Sequence, residues 1–414
     1  MAMLALVVAV GLGPESADAE QRDATLRPDE AAALEQMQAG INTREYARVI
    51  VQGEDLVETI EARSHRYDTD LIAPLSLLAE ALLRGGDAVR ADETFERALH
   101  LVRVNDGPVS LSQLPLVYRQ ADARSRMGAR GLANDREEFA LDLLIRGHGI
   151  DSPEIIDGLL RLGDWYAQNR YHISARIIYK HLTALAEEHL PEGDARTLHA
   201  WRGYAESYQR IVWPLPRRPN TGGFRTGPPL DLYDWRILQG YDPFEHYHLR
   251  RRAHDKGELA LKTVIGHLEA TGTTAEVAEA MLELADLHML YRRYSQAYEQ
   301  YRRVRATLAS DPEALARAFD QPVPIYLPLP TGRGASGGSW KGVVELALTI
   351  THRGDVVGRR TVRAEPGGII EHRVRMAARR ARYRPAFDGD RPVKSVNVPL
   401  EYTYSYLPGT VASR

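Results

Sequence analysis

The chain has 414 residues, a net charge of −3, 44% apolar and 26% charged residues, and no cysteine. That apolar share supports packed cores over a length of two or three domains, and the near-zero charge gives no general pull toward nucleic acid. The missing thiols exclude disulfides, thiolate metal sites, iron–sulfur clusters and cysteine nucleophiles.

In chain order, residues 1–12 read MAMLALVVAVGL, an apolar run shorter than the ~20 residues of a membrane span. Gly13 and Pro14 break it, and Ala17 and Ala19 supply small residues at −3 and −1 of a cleavage site. Residues 1–19 therefore read as a secretory signal peptide and place the mature chain in the periplasm. No Lys or Arg precedes the apolar run, so an uncleaved, inner-membrane-anchored form is the alternative.

Residues 20–320 alternate helical stretches with short polar breaks, with apolar residues mostly three and four apart. Three segments share one spacing. They are Leu75, Leu78, Ala79, Leu82, Ala91, Phe95, Ala98; Leu159, Leu162, Gly163, Tyr166, Ala175, Tyr179, Leu182; and Met281, Leu284, Ala285, His288, Ala297, Tyr301, Val304. This resembles the tetratricopeptide repeat (TPR), a helical hairpin whose small residues sit where its two helices touch and whose aromatic fills the gap between hairpins. Arg44–His65 reads as a lone first helix. Leu114–Met127 with Leu132–Ile145 reads as an off-pattern hairpin, and Arg196–Ile211 with Lys256–Leu268 as one hairpin split by an insertion. The insertion, 213–248, holds seven aromatics in 36 residues, Trp213 and Trp235 among them, and six prolines. Such a segment either caps the helices or contacts a partner. The resemblance implies an α-solenoid of five or six hairpins with a concave surface for peptides.

Residues 321–341 are rich in proline and then glycine, and read as a linker. The period then becomes two: Val344, Leu346, Leu348 and Ile350 alternate with polar or small residues, and a second strand runs over Val356–Arg363. Ile370, Val374, Ala377, Ala378 and Ala381 mark a helix face, with Arg373, Arg375, Arg379, Arg380, Arg382 and Arg384 as its basic side. The last strand sets Val396, Val398, Leu400, Tyr402, Tyr404 and Tyr406 on one face. Gly342, Val344, Gly354, Val356, Tyr383, Pro385, Ala386, Pro392 and Val393 follow the pattern of the TonB C-terminal domain, which residues 342–408 resemble. The resemblance implies a β-β-α-β fold whose last strand lies at a sheet edge, where a segment of an outer-membrane transporter adds as a strand. Pro399 suits an edge. Residues 322–414 hold 15 Lys+Arg against 7 Asp+Glu, a basic tail (net +8) on an acidic remainder (net −11).

There is no G-x-x-x-x-G-K-[ST], no H-E-x-x-H and no G-x-S-x-G. His246 and His248, two apart, fall on different helix faces, and with His254 they read as packing or solvated residues; Glu187-Glu188 before His189 reads as a helix end rather than an acid–base pair. The expected fold class is thus mostly α, a TPR-like α-solenoid followed by a small α+β (β-β-α-β) domain. The expected function is a non-enzymatic periplasmic protein–protein interaction scaffold without cofactor or metal. Its partners would be envelope proteins or peptides, outer-membrane transporter segments among them, with peripheral membrane contact and no nucleic acid. The partner-binding candidates are Val398, Leu400, Tyr402, Tyr404, Arg379, Arg380, Trp213 and Trp235. The alternatives are a component of TonB-type energy transduction across the outer membrane, and an enzyme with a pocket at 213–248.

Overall fold

The computed structural model describes residues 26–169, 171–212, 245–328 and 340–406. The expected signal peptide at 1–19, residues 213–244 with Trp213 and Trp235, and residues 329–339 of the expected linker lie outside the described residues. Among the described residues no helix is long and apolar enough to cross a membrane. The chain divides into two compact units, 1–147 and 148–414, so the division falls within the run of hairpins.

The first unit is built of α1 (Pro28–Asn42), α2 (Tyr46–Arg63), α3 (Ile72–Gly85), α4 (Ala88–Asp106), α5 (Leu114–Arg126) and α6 (Arg130–His148). Pro28 opens α1, and Glu30 Oε2 accepts the Arg27 N–H at 2.9 Å, satisfying one of the orphan donors of that helix end. The segment Arg44–His65 is not a lone helix: α2 pairs with α1 as a hairpin. The packed face of α1 holds Ala33, Leu34, Met37, Gly40 and Ile41, while Ala31, Ala32 and Ala39 are exposed, so the periodic signal is weak. Gly40 is what lets the helices meet, since a Cβ there would stand 2.5 Å from Val49 Cγ2. Arg63 joins Glu30 (2.7 Å) to Asp70 (2.6 Å) beside this core.

The second unit continues with α7 (Ile156–Gln168), α8 (His172–His189), α9 (Ala195–Val212), α10 (Glu245–Thr271), α11 (Thr274–Leu290), α12 (Tyr294–Thr307) and the short α13 (Pro312–Phe319). Helices α9 and α10 pack together as the hairpin that the insertion splits. The small residues sit where the shared spacing puts them: Ala175, Ala285 and Ala297 are at most 1% exposed, as are Ala79 and Ala91 in the first unit. Tyr179 and Tyr301 are fully buried between neighbours, a burial worth ~1.5–3 kcal/mol each. The Tyr179 ring lies between Gly163 and Gly203; a Cβ on Gly203 would fall 2.4 Å from Tyr179 Cζ.

The strands are β1 (Val323–Tyr326), β2 (Trp340–Ile350), β3 (Val356–Glu365), β4 (Arg382–Arg384), β5 (Phe387–Asp388), β6 (Arg391–Pro392) and β7 (Ser395–Tyr406), with helix α14 (Ile369–Ala378) after β3. All pairings are antiparallel, and the main sheet has the order β3-β2-β7. Val344, Leu346, Leu348 and Ile350 line its buried face, covered by Val374 and Ala378 of α14. Opposite Leu348–Ile350, β7 carries one extra residue, a bulge at which Asn397 takes φ +58°. The bulge shifts the face, so Val396 is 63% exposed although the alternation assigned it to the apolar side.

Two further expectations change. The segment 321–341 is not linker throughout, because Val323–Tyr326 forms β1 and pairs with β4. Arg382 and Arg384 do not belong to a basic helix face: they lie in β4, each 8% exposed and ion-paired. Gly354, at φ +73°, allows this crossing, since a Cβ there would lie 1.9 Å from the Tyr383 carbonyl oxygen.

Candidate functional site

In the second unit the first helices of three successive hairpins, α7, α9 and α11, line one groove of about 730 Å³. Tyr179, Leu261 and Leu268 give it an apolar floor. Asp164, Glu206, Glu276 and Glu283 stand in it against His199 and Arg202, so its lining carries more acid than base. Its polar groups are held in place. The Tyr179 hydroxyl donates to Asp164 Oδ1 at 2.6 Å, and His199 Nε2 lies 2.7 Å from the same oxygen. Burial pushes the Asp164 carboxyl up, but the hydrogen bonds from His199 and Tyr179 outweigh it and leave it below its ordinary range. The hydrogen bond to Asp164 raises His199 above its usual value despite partial burial. Burial raises Glu283, although Arg202 Nε stands 3.3 Å away. Glu276 is committed to the N-terminus of α11, where its side chain accepts the Thr273 N–H at 2.7 Å.

Asp164 belongs to a column that the aligned hairpins repeat. Glu80, Asp164 and Asp286 each lie five residues after the first member of their segment. Each meets a basic side chain from beyond its own hairpin. Glu80 receives Arg119 Nε of α5 at 2.6 Å, and Asp164 receives His199 of α9. Asp286 receives Arg384 of β4, with Nε donating to Oδ1 at 3.0 Å and Nη2 to Oδ2 at 2.7 Å. Tyr301 repeats the Tyr179 contact, donating to Asp286 at 2.6 Å. The strand region thus supplies, after the last hairpin, the contact that a further hairpin supplies elsewhere. Phe387 packs edge-on against Tyr301 and Phe319 (centroids 5.5 and 5.2 Å apart), and the Tyr298 hydroxyl donates to the His352 carbonyl at 2.8 Å. The shared acidic position was readable in the alignment of the three segments; its partners were not.

The expected partner residues divide by place. Leu400 and Tyr404 are buried in the sheet core, Val398 and Tyr402 are partly buried against it, and the Tyr404 hydroxyl donates to the Pro366 carbonyl at 2.9 Å. Among the described residues no strand pairs with the outer side of β7, so its backbone is what that edge presents. Arg379 and Arg380 are exposed at the end of α14, away from the groove residues in sequence and element. Trp213 and Trp235 lie outside the described residues.

A second cluster escaped the reading of the sequence. His254 was weighed with His246 and His248, whereas the structure sets it against His288 and Glu258. His254 Nε2 lies 2.9 Å from His288 Nδ1, both rings 2% exposed. Burial holds the His288 ring down to about 4, so it is neutral at pH 7.

No family model matches the chain, and no curated protein matches it. Solved structures similar to it include the Podosopora anserina putative kinesin light chain with nearly identical TPR-like repeats (15% identity, 60% of this chain, 98% of that one, TM-score 0.41). Others are BtubC (BKLC) from P. vanneervenii (13%, 69% and 92%, 0.40) and the apo form of RapI (11%, 71% and 89%, 0.34). The hairpin packing described above makes the helical region a TPR-like α-solenoid followed by a small α+β region.

Proposed function

We propose that the chain is a non-enzymatic protein-interaction scaffold of the bacterial periplasm, which receives an extended, basic peptide segment in the groove of α7, α9 and α11. The observation that carries this reading is the groove itself. It is a fixed concave surface with an apolar floor and an excess of carboxylates, the chemistry that matches Lys- and Arg-bearing chains. The test uses the full chain with a photo-crosslinking residue at Gln168 or Gln209, both in the groove lining. Crosslinks to a partner that weaken in Glu206→Lys and with rising salt support it. Crosslinking that is undiminished by Glu206→Lys, or that arises only from positions outside the groove, refutes it.

The address rests on residues 1–19. A mature N-terminus at Glu20, read by mass spectrometry, supports export, and retention of Met1 in the membrane fraction supports the anchored alternative. A second surface follows from the open edge of β7 and the likeness of residues 342–408 to the TonB C-terminal domain. We propose strand addition there, with an outer-membrane transporter segment as partner. The segment from Leu400 to Tyr406 pairs with β2 without a register break, and Pro399 and the bulge at Asn397 limit addition to that stretch. Normal uptake through outer-membrane transporters in a deletion strain lacking other homologues would reject a role in energy transduction. The alternative of an enzyme pocket at 213–248 falls on residues that lie, but for 245–248, outside the described ones.

A further inference from the structure

We infer that His254, Glu258 and His288 form a binding site for a divalent ion of the zinc class, joining α10 to α11. One donor atom from each of the three lies within 4.8 Å of the other two. His254 and Glu258 stand one turn apart on α10, hence on one face, and His288 comes from α11. The set is nitrogen and carboxylate oxygen, which suits a borderline ion such as Zn²⁺ rather than the hard, all-oxygen ions. Donors of a tetrahedral ion with bonds of 2.0–2.1 Å stand roughly 3.3 Å apart. His254 Nε2 and His288 Nδ1 face each other at 2.9 Å across a hydrogen bond, so an ion displaces the shared proton, and the rings part by a few tenths of an ångström and turn until both lone pairs meet it.

The surroundings are those of a metal ligand set. Asp255 Oδ1 lies 3.0 Å from His254 Nδ1 and Glu258 Oε2 3.4 Å from the same nitrogen, so acceptors at Nδ1 favour the tautomer that leaves the Nε2 lone pair for the ion, and Glu258 reaches the ion by turning its carboxylate. Lys262 Nζ, 2.8 Å from Glu258 Oε1, and Arg293, 3.4 Å from Asp255, balance the two carboxylates from outside. The Tyr291 ring stands edge-on to His254 at 5.2 Å and closes the apolar side. The rings are buried while the Glu258 side chain is 19% exposed, so the carboxylate marks the route of entry and the fourth position is left for water. The same repeat position as His288 carries Leu82 and Tyr166 in the other two aligned segments, so hairpin packing by itself does not call for an imidazole there.

The test takes the full chain stripped with a chelator and titrated with Co²⁺, then Zn²⁺. The expected result is one equivalent bound, with the visible ligand-field bands of a tetrahedral Co²⁺ site that Zn²⁺ bleaches. Glu258→Gln and His288→Tyr should each lower the affinity by tenfold or more. His288→Tyr introduces the residue type that the same position of the α7 hairpin already holds. Glu258→Gln alters no residue of the buried core, so that variant decides if the other fails to fold. No ligand-field bands in the wild type, or the same bands and affinity in both variants, would overturn the assignment, since uptake would then belong to other histidines among the 14.

Discussion

Replacing Asp286 by asparagine removes the charge that holds β4 to the last hairpin and leaves Arg384 in place. The Arg384 side chain is 10% exposed and Asp286 16%, so little water is at hand to replace the lost carboxylate. Breaking a buried pair by removing one partner costs about 3–5 kcal/mol. Asparagine retains one hydrogen bond, which sets the expectation at the lower end, ~3 kcal/mol. The cost falls on a local opening of β1 and β4 away from α11 and α13, because Arg384 also donates to the Ala318 carbonyl at 3.2 Å. Native-state hydrogen exchange measures that opening residue by residue. A change of 3 kcal/mol speeds exchange by on the order of a hundredfold. Arg384→Met should cost a similar amount. The double variant buries neither charge alone and should lose less than the sum by ~2 kcal/mol or more. Wild-type exchange at the Tyr383 and Arg384 amides in Asp286→Asn, or strictly additive losses in the double variant, would refute the assignment of this pair as the clasp.

Gly203→Ala places a methyl group against the Tyr179 ring and should cost about 1–3 kcal/mol in urea unfolding, whereas Gly266→Ala, with no neighbour within 4 Å, should not. Phe387→Ala empties the ring contact with Tyr301 and Phe319 and should cost ~3–5 kcal/mol, read by exchange at β5 and β6; a loss below 1 kcal/mol would mean that these strands are not anchored there. The Asp164–His199 pair makes stability depend on pH. His199 is raised in the folded chain, so its contribution is fully present below its unfolded value of ~6.5 and is lost as pH rises through the folded value. Asp164 is lowered, so its contribution is present above ~3.8 and is lost as pH falls through the folded value. The destabilisation by His199→Gln should therefore be largest between these limits and fade as pH rises through the folded value of His199. A difference that grew with alkalinity would contradict the pairing.

Periodicity is a local property, and what it governs was legible. The spacings of three and four and the recurring small residues specified the hairpins. The alternation from Val344 to Ile350 specified β2 and its buried face. The sequence alone also shows an acid at the same position of three hairpins, Glu80, Asp164 and Asp286. It does not show which basic side chain meets each, because Arg119, His199 and Arg384 lie 39, 35 and 98 residues away and only the packed chain brings them in. For the same reason Arg382 and Arg384 look like the solvated side of a helix until β4 pairs with β1 and draws them inside. His254 and His288 are 34 residues apart on neighbouring helices, and their contact depends on how α10 and α11 are rotated against each other. Residue order sets what each segment forms and which face it buries. Which buried polar group finds its partner is settled by tertiary packing, since an unpaired charge in a core is too costly for the chain to leave to any other arrangement.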